Sequence, residues 1–263
     1  MLFAIHSIFA FVFGAIFGSF FNVCIHRLPR EESLAWPPSH CPGCSKPIQF
    51  YDNIPIISFL VLWGRCRQCS VSISPRYFVV ELLTATVFLW AWFSYSWSAQ
   101  AIVSVLFFSL LLIATAVDLE FQIIPDEISL GGIVMGLAWS AFFPSLHGMS
   151  GWQESLLTSA YGALFGGGMI YLTGVLGTLA FKKEAMGFGD VKLVAMLGAF
   201  LGWKHVLLVY FAAPVLALPL ALWVKWLRRS DVIPYGPFLS LAGWIVFFWG
   251  SEIIKWWLPG FIF

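Results

Sequence analysis

Met186-Gly187-Phe188-Gly189-Asp190-Val191-Lys192 places an acid directly after two glycines, at the start of an apolar segment that runs toward Leu201. Charge is scarce elsewhere, since only 10% of the 263 residues are charged and 60% are hydrophobic. This composition is typical of membrane proteins and excludes an ordinary soluble domain. An acid at the mouth of an apolar segment is therefore a candidate for function.

Apolar segments of nearly membrane-spanning length recur along the chain. A transmembrane helix needs about 20 such residues to cross a hydrocarbon core of about 30 Å. Segments of this kind cover residues 3–23, 77–94, 101–118, 128–144, 156–180, 190–203, 205–226 and 237–257. The sequence predicts an all-α polytopic membrane protein with about eight transmembrane helices. The region 190–226 is the hardest to divide, because Lys204 and His205 interrupt it.

The distribution of Lys and Arg predicts the orientation. If the first helix runs from outside to inside, only Lys204 and Lys255 of the 14 basic residues lie outside. The inner loops then hold Arg27, Arg30, Lys46, Arg65, Arg67, Arg76, Lys182, Lys183, Lys192, Lys225, Arg228 and Arg229. The positive-inside rule favours this arrangement, with both termini outside. The net charge of +1 gives no reason to expect a nucleic-acid partner.

The chain is predicted to divide into a first transmembrane helix (1–24), a cytoplasmic module (25–76) and a membrane-embedded domain (77–263). The module is too long for a bare connection and is rich in Pro, Ser and Cys. Within it, residues 54–63 are apolar but too short to span. We expect them to pack against the module or to lie on the bilayer surface.

Two CxxC pairs lie in the module, Cys41-Pro-Gly-Cys44 and Cys66-Arg-Gln-Cys69. Two residues between thiolates let a tight turn aim both sulfurs at one tetrahedral ion, so the four cysteines are predicted to hold a structural Zn²⁺. The alternative is a pair of disulfide or redox motifs. A reducing cytoplasmic location and the lack of a surrounding βαβ pattern argue against it.

A few acids lie in or near the predicted helices. Asp126 follows Pro125 and precedes an apolar run, where a carboxylate caps helical N–H groups. Asp118 ends an apolar helix, where negative charge is disfavoured, so a function is the better interpretation. Asp190 has a milder explanation as an N-cap. Glu81 is either a partner for Arg76 or a backbone group, or a residue that lines a site.

Asp118 and Asp190 are both predicted at the cytoplasmic ends of their helices, so they can meet at one depth. Two carboxyl groups within reach titrate as a coupled unit and can hold one proton between them. One then takes a proton from water while the other activates a peptide carbonyl, as in aspartic proteases. Gly187 and Gly189 are predicted to let a substrate strand approach the backbone beside Asp190.

The ordered motifs of the chain resemble those of the type IV prepilin leader peptidases, bacterial intramembrane aspartic proteases of the GxGD type. The resemblance covers nearly the whole chain. It is carried by residues 18–23 with Arg27 and Pro29, the two CxxC pairs, 53–55, 81–84, Asp118 through Pro125-Asp126, 187–192 and 234–238.

The resemblance implies cleavage of the basic leader of type IV prepilins and type II secretion pseudopilins, just before their apolar helical segment. It implies catalysis by Asp118 and Asp190 at the cytoplasmic face of the bacterial inner membrane, with both termini periplasmic. Gly187, Gly189, Lys192, Glu81 and Asp126 are expected to line the site. Bifunctional members carry the tetracysteine module and also methylate the new N-terminal amine from S-adenosylmethionine.

Two other classes remain open from the residues alone. A proton-coupled transporter would use intramembrane acids to line a proton path, but it gives no reason for a thiolate module. A non-catalytic membrane scaffold anchored by its metal module would need neither aspartate.

Overall fold

The computed structural model describes residues 2–183, 186–228 and 234–257, with the backbone alone at 224–228 and 257. These ranges contain no β-strand, only two isolated bridges. Their helices are α1 (Leu2–Arg27), α2 (Ile57–Val61), α3 (Pro75–Tyr95), α4 (Ala99–Phe121), α5 (Asp126–Phe142), α6 (Trp152–Phe181), α7 (Phe188–Arg228) and α8 (Gly236–Trp257). The predicted inner charge Arg229 and both chain ends lie outside the described residues.

The predicted membrane spans correspond to helices. Within the described ranges, six helices are long and apolar enough to cross a membrane, namely α1, α3, α4, α6, α7 and α8. The shorter α5 has 17 residues, and α7 is interrupted at Gly202, which has φ 75° and ψ 169°. Each of the eight predicted segments therefore coincides with a helical segment, which confirms the fold class. The break in α7 lies at Gly202 rather than at Lys204.

The chain divides into two compact units, Met1–Ser109 and Leu110–Phe263, and the division falls inside α4. In the first unit α1 and α3 pack closely as an antiparallel pair. A Cβ added at Gly14 would lie 2.8 Å from Ala85 Cα, and one at Gly18 would lie 2.7 Å from Glu81 Cα. Small residues at these positions let the two backbones approach each other.

A long loop connects α1 to α3 and carries the predicted module. Arg27, only 8% exposed, fixes its start by donating hydrogen bonds to the carbonyls of Ser33 and Pro37. The apolar stretch 54–63 forms the short helix α2, and Phe59 stacks on Phe78 of α3 at 5.3 Å between ring centroids.

The second unit is organised around α7, which packs against α5, α6 and α8. Its closest neighbour is α6, because any side chain at Gly162 would collide with the backbone of Gly198. Ser159 is fully buried beside this crossing and donates a 2.6 Å hydrogen bond to the carbonyl of Ala199. This tight crossing fixes the segment of α7 that begins with the GxGD residues.

Candidate active site and metal centre

Asp118 lies in the last turn of α4 and is 6% exposed. Its Oδ2 accepts a 2.9 Å hydrogen bond from the N–H of Gly236, the first residue of α8. A carboxylate at a helix C-terminus is unfavourable, but the N-terminus of a second helix supplies a donor and the positive end of a dipole. The fold therefore compensates for the position of Asp118 with α8.

Gly236 was not singled out individually from the sequence. A Cβ added there would lie 2.7 Å from Asp118 Oδ2, so only glycine leaves room for the carboxylate. Pro237 follows as the second residue of α8, where its missing N–H costs no helical hydrogen bond. The pattern that could have pointed to Gly236 is a glycine between Tyr235 and Pro237, directly before an apolar helix.

Asp190 lies in the first turn of α7 and is partly buried. Its carboxyl group interacts electrostatically with that of Asp118, although 72 residues separate the two along the chain. Helix ends bring the pair together, because α4 ends near the point where α7 and α8 begin. The arrangement supplies two carboxyl groups in one region of the second unit, each with a backbone donor: the N–H of Gly236 for Asp118 and that of Gly187 for Asp190.

The two glycines of the GxGD motif differ in their surroundings. A Cβ at Gly189 would lie 3.2 Å from the Cβ of Ile124, so this glycine serves packing within the chain itself. Gly187 is exposed, and among the described residues a Cβ there would meet Asp190 Oδ2, at 3.6 Å. This glycine therefore lies directly beside the acid.

Asp126 is not the capping residue that the sequence predicted. Helix α5 begins at Asp126 after Pro125, and no side chain caps it. The carboxylate instead accepts a hydrogen bond from Lys192 Nζ, which also lies 5.1 Å from the centroid of the Phe188 ring. The favourable position of an acid in the first helical turn remains, but the partner is a lysine of the GxGD segment.

Tyr235 belongs to the stretch 234–238 that carries the resemblance, but the sequence assigned no role to it. It lies just before α8, and burial together with the negative charge of Asp190 raises its pKa to about 12. The phenol therefore keeps its proton at neutral pH and remains a hydrogen-bond donor near Asp190.

Glu81 belongs to the first unit, on α3, and is 8% exposed. Its Oε2 accepts a 2.7 Å hydrogen bond from the N–H of Ile56, and the Ser19 hydroxyl also bonds the carboxyl group. The backbone partner expected from the sequence is therefore observed, and a role of Glu81 in lining a site stays a prediction. Ile56 has φ 65°, a conformation that is a clear outlier for a β-branched residue.

The four predicted metal ligands come together. The Sγ atoms of Cys41, Cys44, Cys66 and Cys69 all lie within 4.8 Å of one another, an arrangement that could hold a metal ion. All four thiols are free, so the disulfide alternative is not observed.

The two CxxC turns repeat one backbone pattern. In the first, the N–H of Ser45 bonds the carbonyl of Cys41 and that of Gly43 points at the Cys41 sulfur. In the second, Ser70 and Gln68 make the equivalent contacts with Cys66. N–H groups near Cys66 lower the pKa of its thiol to about 7, whereas burial and the neighbouring sulfurs raise the pKa of Cys69 to about 11, so the first thiolate of the cluster forms at Cys66. These contacts orient the sulfurs within each turn.

The fold and the acid pair define a class, polytopic helical membrane proteins with paired carboxyl groups at helix ends. Residues 12–95 match the model of the Bacterial Peptidase A24 N-terminal domain, and residues 105–222 match that of the Type IV leader peptidase family. The chain belongs to the type IV leader peptidase family.

Relatives share most of their length with this chain. It is 35% identical to the "Prepilin leader peptidase/N-methyltransferase" of Aeromonas hydrophila, covering 96% of this chain and 93% of that protein. It is 33% identical to the protein of the same name from Pseudomonas aeruginosa, covering 92% and 90%. The Klebsiella pneumoniae protein is 40% identical over 74% of this chain and 85% of its own length. No solved structure matches the chain.

Proposed function

We propose that this protein cleaves the basic leader from type IV prepilins and type II secretion pseudopilins with Asp118 and Asp190, and then N-methylates the new N-terminal residue. The names of the relatives pair these two activities. The observation that carries the choice of residues is the Asp118–Asp190 interaction at the meeting of three helix ends.

The chemistry uses the two carboxyl groups in different protonation states. The ionised carboxylate takes a proton from a water molecule, which attacks the scissile peptide carbon, while the protonated partner hydrogen-bonds to the carbonyl oxygen. Collapse of the tetrahedral intermediate breaks the C–N bond and passes a proton to the leaving amine. The Gly236 N–H holds Asp118 in position throughout, and such positioning is a large part of catalysis.

The positive-inside rule supports an orientation in the bacterial inner membrane with the active site and module at the cytoplasmic face and both termini periplasmic. A substrate helix with a basic leader is retained on the same face by the same rule. Its scissile bond then arrives at the depth of Asp118 and Asp190. Gly187 and Lys192 lie beside Asp190 and would contact the arriving segment.

The tetracysteine cluster is proposed to bind one structural Zn²⁺. Tetrahedral coordination with Zn–S bonds of about 2.3 Å requires sulfurs about 3.8 Å apart. The Cys41 and Cys69 sulfurs are 3.7 Å apart. Four thiolates leave no open coordination position, so the ion would hold the two turns together rather than act on substrate.

The methyl donor is proposed to be S-adenosylmethionine, which supplies an electrophilic methyl group when bound. The relatives' N-methyltransferase name supports this assignment.

A single assay tests both activities. The purified protein in liposomes is incubated with a synthetic prepilin, with and without S-adenosylmethionine, and the product is analysed for length and N-terminal mass. We expect leader removal in both reactions and a mass gain of one methyl group only with the donor. Intact prepilin together with proton-driven solute flux into the liposomes would instead favour the transporter class.

A further inference from the structure

A buried polar cluster lies in the first unit, which contains neither Asp118 nor Asp190. It consists of Ser19 and Asn22 on α1 and Glu81 on α3. Asn22 is 2% exposed and Glu81 is 8% exposed. The Nδ2 of Asn22 donates a 3.0 Å hydrogen bond to the carbonyl of Tyr77, but its Oδ1 has no hydrogen-bond partner in the described structure. An unpartnered buried acceptor is costly, so a water molecule or a ligand is expected to satisfy it.

Asn22 and Glu81 lie on facing helices, within about one helical turn of each other. Gly18 lies against Glu81, and Asn22, one turn further along α1, bonds the carbonyl of Tyr77, one turn earlier on α3. Helical side chains lean toward the N-terminus of their own helix. Because the pair is antiparallel, Asn22 leans toward the level of Glu81 and Glu81 leans toward the level of Asn22.

The cluster presents acceptor atoms rather than donors. A carboxylate and an unpartnered amide oxygen within one helical turn suit a ligand with several N–H groups and a positive charge, such as a primary ammonium. A water molecule could occupy an isolated acceptor, but the adjacent buried carboxylate favours a cation.

The two activities of the relatives can be divided between the two units. The match to the Type IV leader peptidase family, residues 105–222, contains both Asp118 and Asp190. The separate match to the N-terminal domain, residues 12–95, contains the cluster and the four cysteines. The cluster lies in the unit that holds neither aspartate, so we assign it to the second activity named for the relatives.

We propose that Asn22 and Glu81 receive the newly exposed α-ammonium group of the cleaved pilin and that Glu81 takes its proton during methyl transfer. The inference rests on the proposed N-methyltransferase function. The α-ammonium must lose a proton before its nitrogen has a lone pair. The N–CH₃ bond then forms as the S–CH₃ bond of the sulfonium donor breaks. S-adenosylhomocysteine leaves, and the proton is carried by Glu81.

The Glu81→Gln variant separates this role from a structural one. Glutamine keeps an oxygen that can accept the Ile56 N–H, so the loop stays attached to α3, but it cannot take a proton. With pilin whose leader has already been removed as the substrate, so that any effect on cleavage is kept apart, we expect a loss of methylation of about 100-fold or more at pH 7. The residual rate should rise about tenfold per pH unit up to about pH 8, where α-amines deprotonate unaided. A structural defect would not produce this rescue by pH.

A binding measurement tests the site without turnover. The full-length protein in nanodiscs, saturated with S-adenosylhomocysteine, is titrated with an apolar pilin-like peptide whose N-terminus is either free or acetylated. We expect the wild-type protein to prefer the free amine about tenfold or more. Glu81→Gln and Asn22→Ser should both lose that preference. Thr84→Val is the matched control, because Thr84 is fully buried one turn along α3 and bonds only the Val80 carbonyl of its own helix.

The possible outcomes separate this inference from the function on which it rests. A wild-type protein that cleaves but never methylates refutes the methyltransferase function, and the inference with it. A wild-type protein that methylates, together with a folded Glu81→Gln variant within about threefold of its rate, refutes the inference alone. If Glu81→Gln does not fold, the Asn22→Ser variant decides. The inference is overturned if this variant prefers the free amine as strongly as the wild-type protein does.

Discussion

The tetracysteine cluster and the paired aspartates bring functional groups together in opposite ways. Each CxxC turn orients its two sulfurs through hydrogen bonds among neighbouring residues, and the second turn repeats the first. Asp118 and Asp190 instead lie 72 residues apart, and three helix ends must meet before the two acids interact and Asp118 receives its backbone donor. A locally encoded site can be found by spacing, whereas a site built from helix ends depends on the packing of whole helices.

The largest effect should follow from removing either acid. We expect Asp118→Asn and Asp190→Asn each to reduce leader cleavage by at least about 1,000-fold, because neither amide can exchange the required proton. Both proteins should insert and keep their zinc, since the cluster is formed by other residues. The assay is prepilin cleavage in liposomes with metal analysis of the same preparation. Full cleavage by either variant would exclude that acid from the chemistry.

Loss of one sulfur should affect the local site alone. Cys44→Ser is expected to lower bound zinc from about one per chain to nearly none, because three thiolates no longer close the tetrahedral site. The loop between α1 and α3 should then become sensitive to protease. Metal analysis and limited proteolysis measure these effects. Cys24→Ser is the matched control, since Cys24 is buried in α1, is not one of the cluster's ligands, and should leave the zinc in place.

A smaller change tests the helix-end contact. Gly236→Ala should slow cleavage about 10- to 100-fold, because the new methyl group would displace the Asp118 carboxylate from its N–H donor. The rate should fall through kcat rather than KM. Gly168→Ala is the control, since a Cβ there meets nothing within 4 Å. Equal rates for these two variants would show that the carboxylate tolerates displacement.

A partly buried histidine should make the second unit less stable at low pH. His147 lies in the 3₁₀ turn Pro144–His147, where burial is the main cause that lowers its pKa to about 4 from 6.5. The unfolded state therefore binds an extra proton between these values, so stability should fall as the pH drops from about 6.5 to 4, by at most about 3 kcal/mol. Thermal unfolding in detergent measures this loss. The His147→Gln variant should show a flatter profile, and an unchanged slope would assign the loss to other groups.

The sequence was most informative where structure is local or strongly apolar. The eight helical segments followed from hydropathy and the cluster of four cysteines from spacing, and both agree with the structure. Asp118 and Asp190 were paired by depth, although depth alone could not predict their contact. The roles of Gly236 and Tyr235 were missed because they arise only when α8 packs beside α4 and α7. The expected cap at Asp126 was wrong, because the acid begins the helix and Lys192, 66 residues away, binds it.

The contact between Gly236 and Asp118 also determines how the site would appear in a mutational survey. The group that holds the carboxylate is a main-chain N–H, which no side-chain substitution removes. A deep mutational scan should therefore record position 236 as intolerant of every larger residue, although no functional side chain is lost there. Alanine scanning would identify Asp118 as essential and give no sign of the donor that positions it. Replacing the amide at this position with an ester, by expressed protein ligation, would remove the donor and preserve the shape.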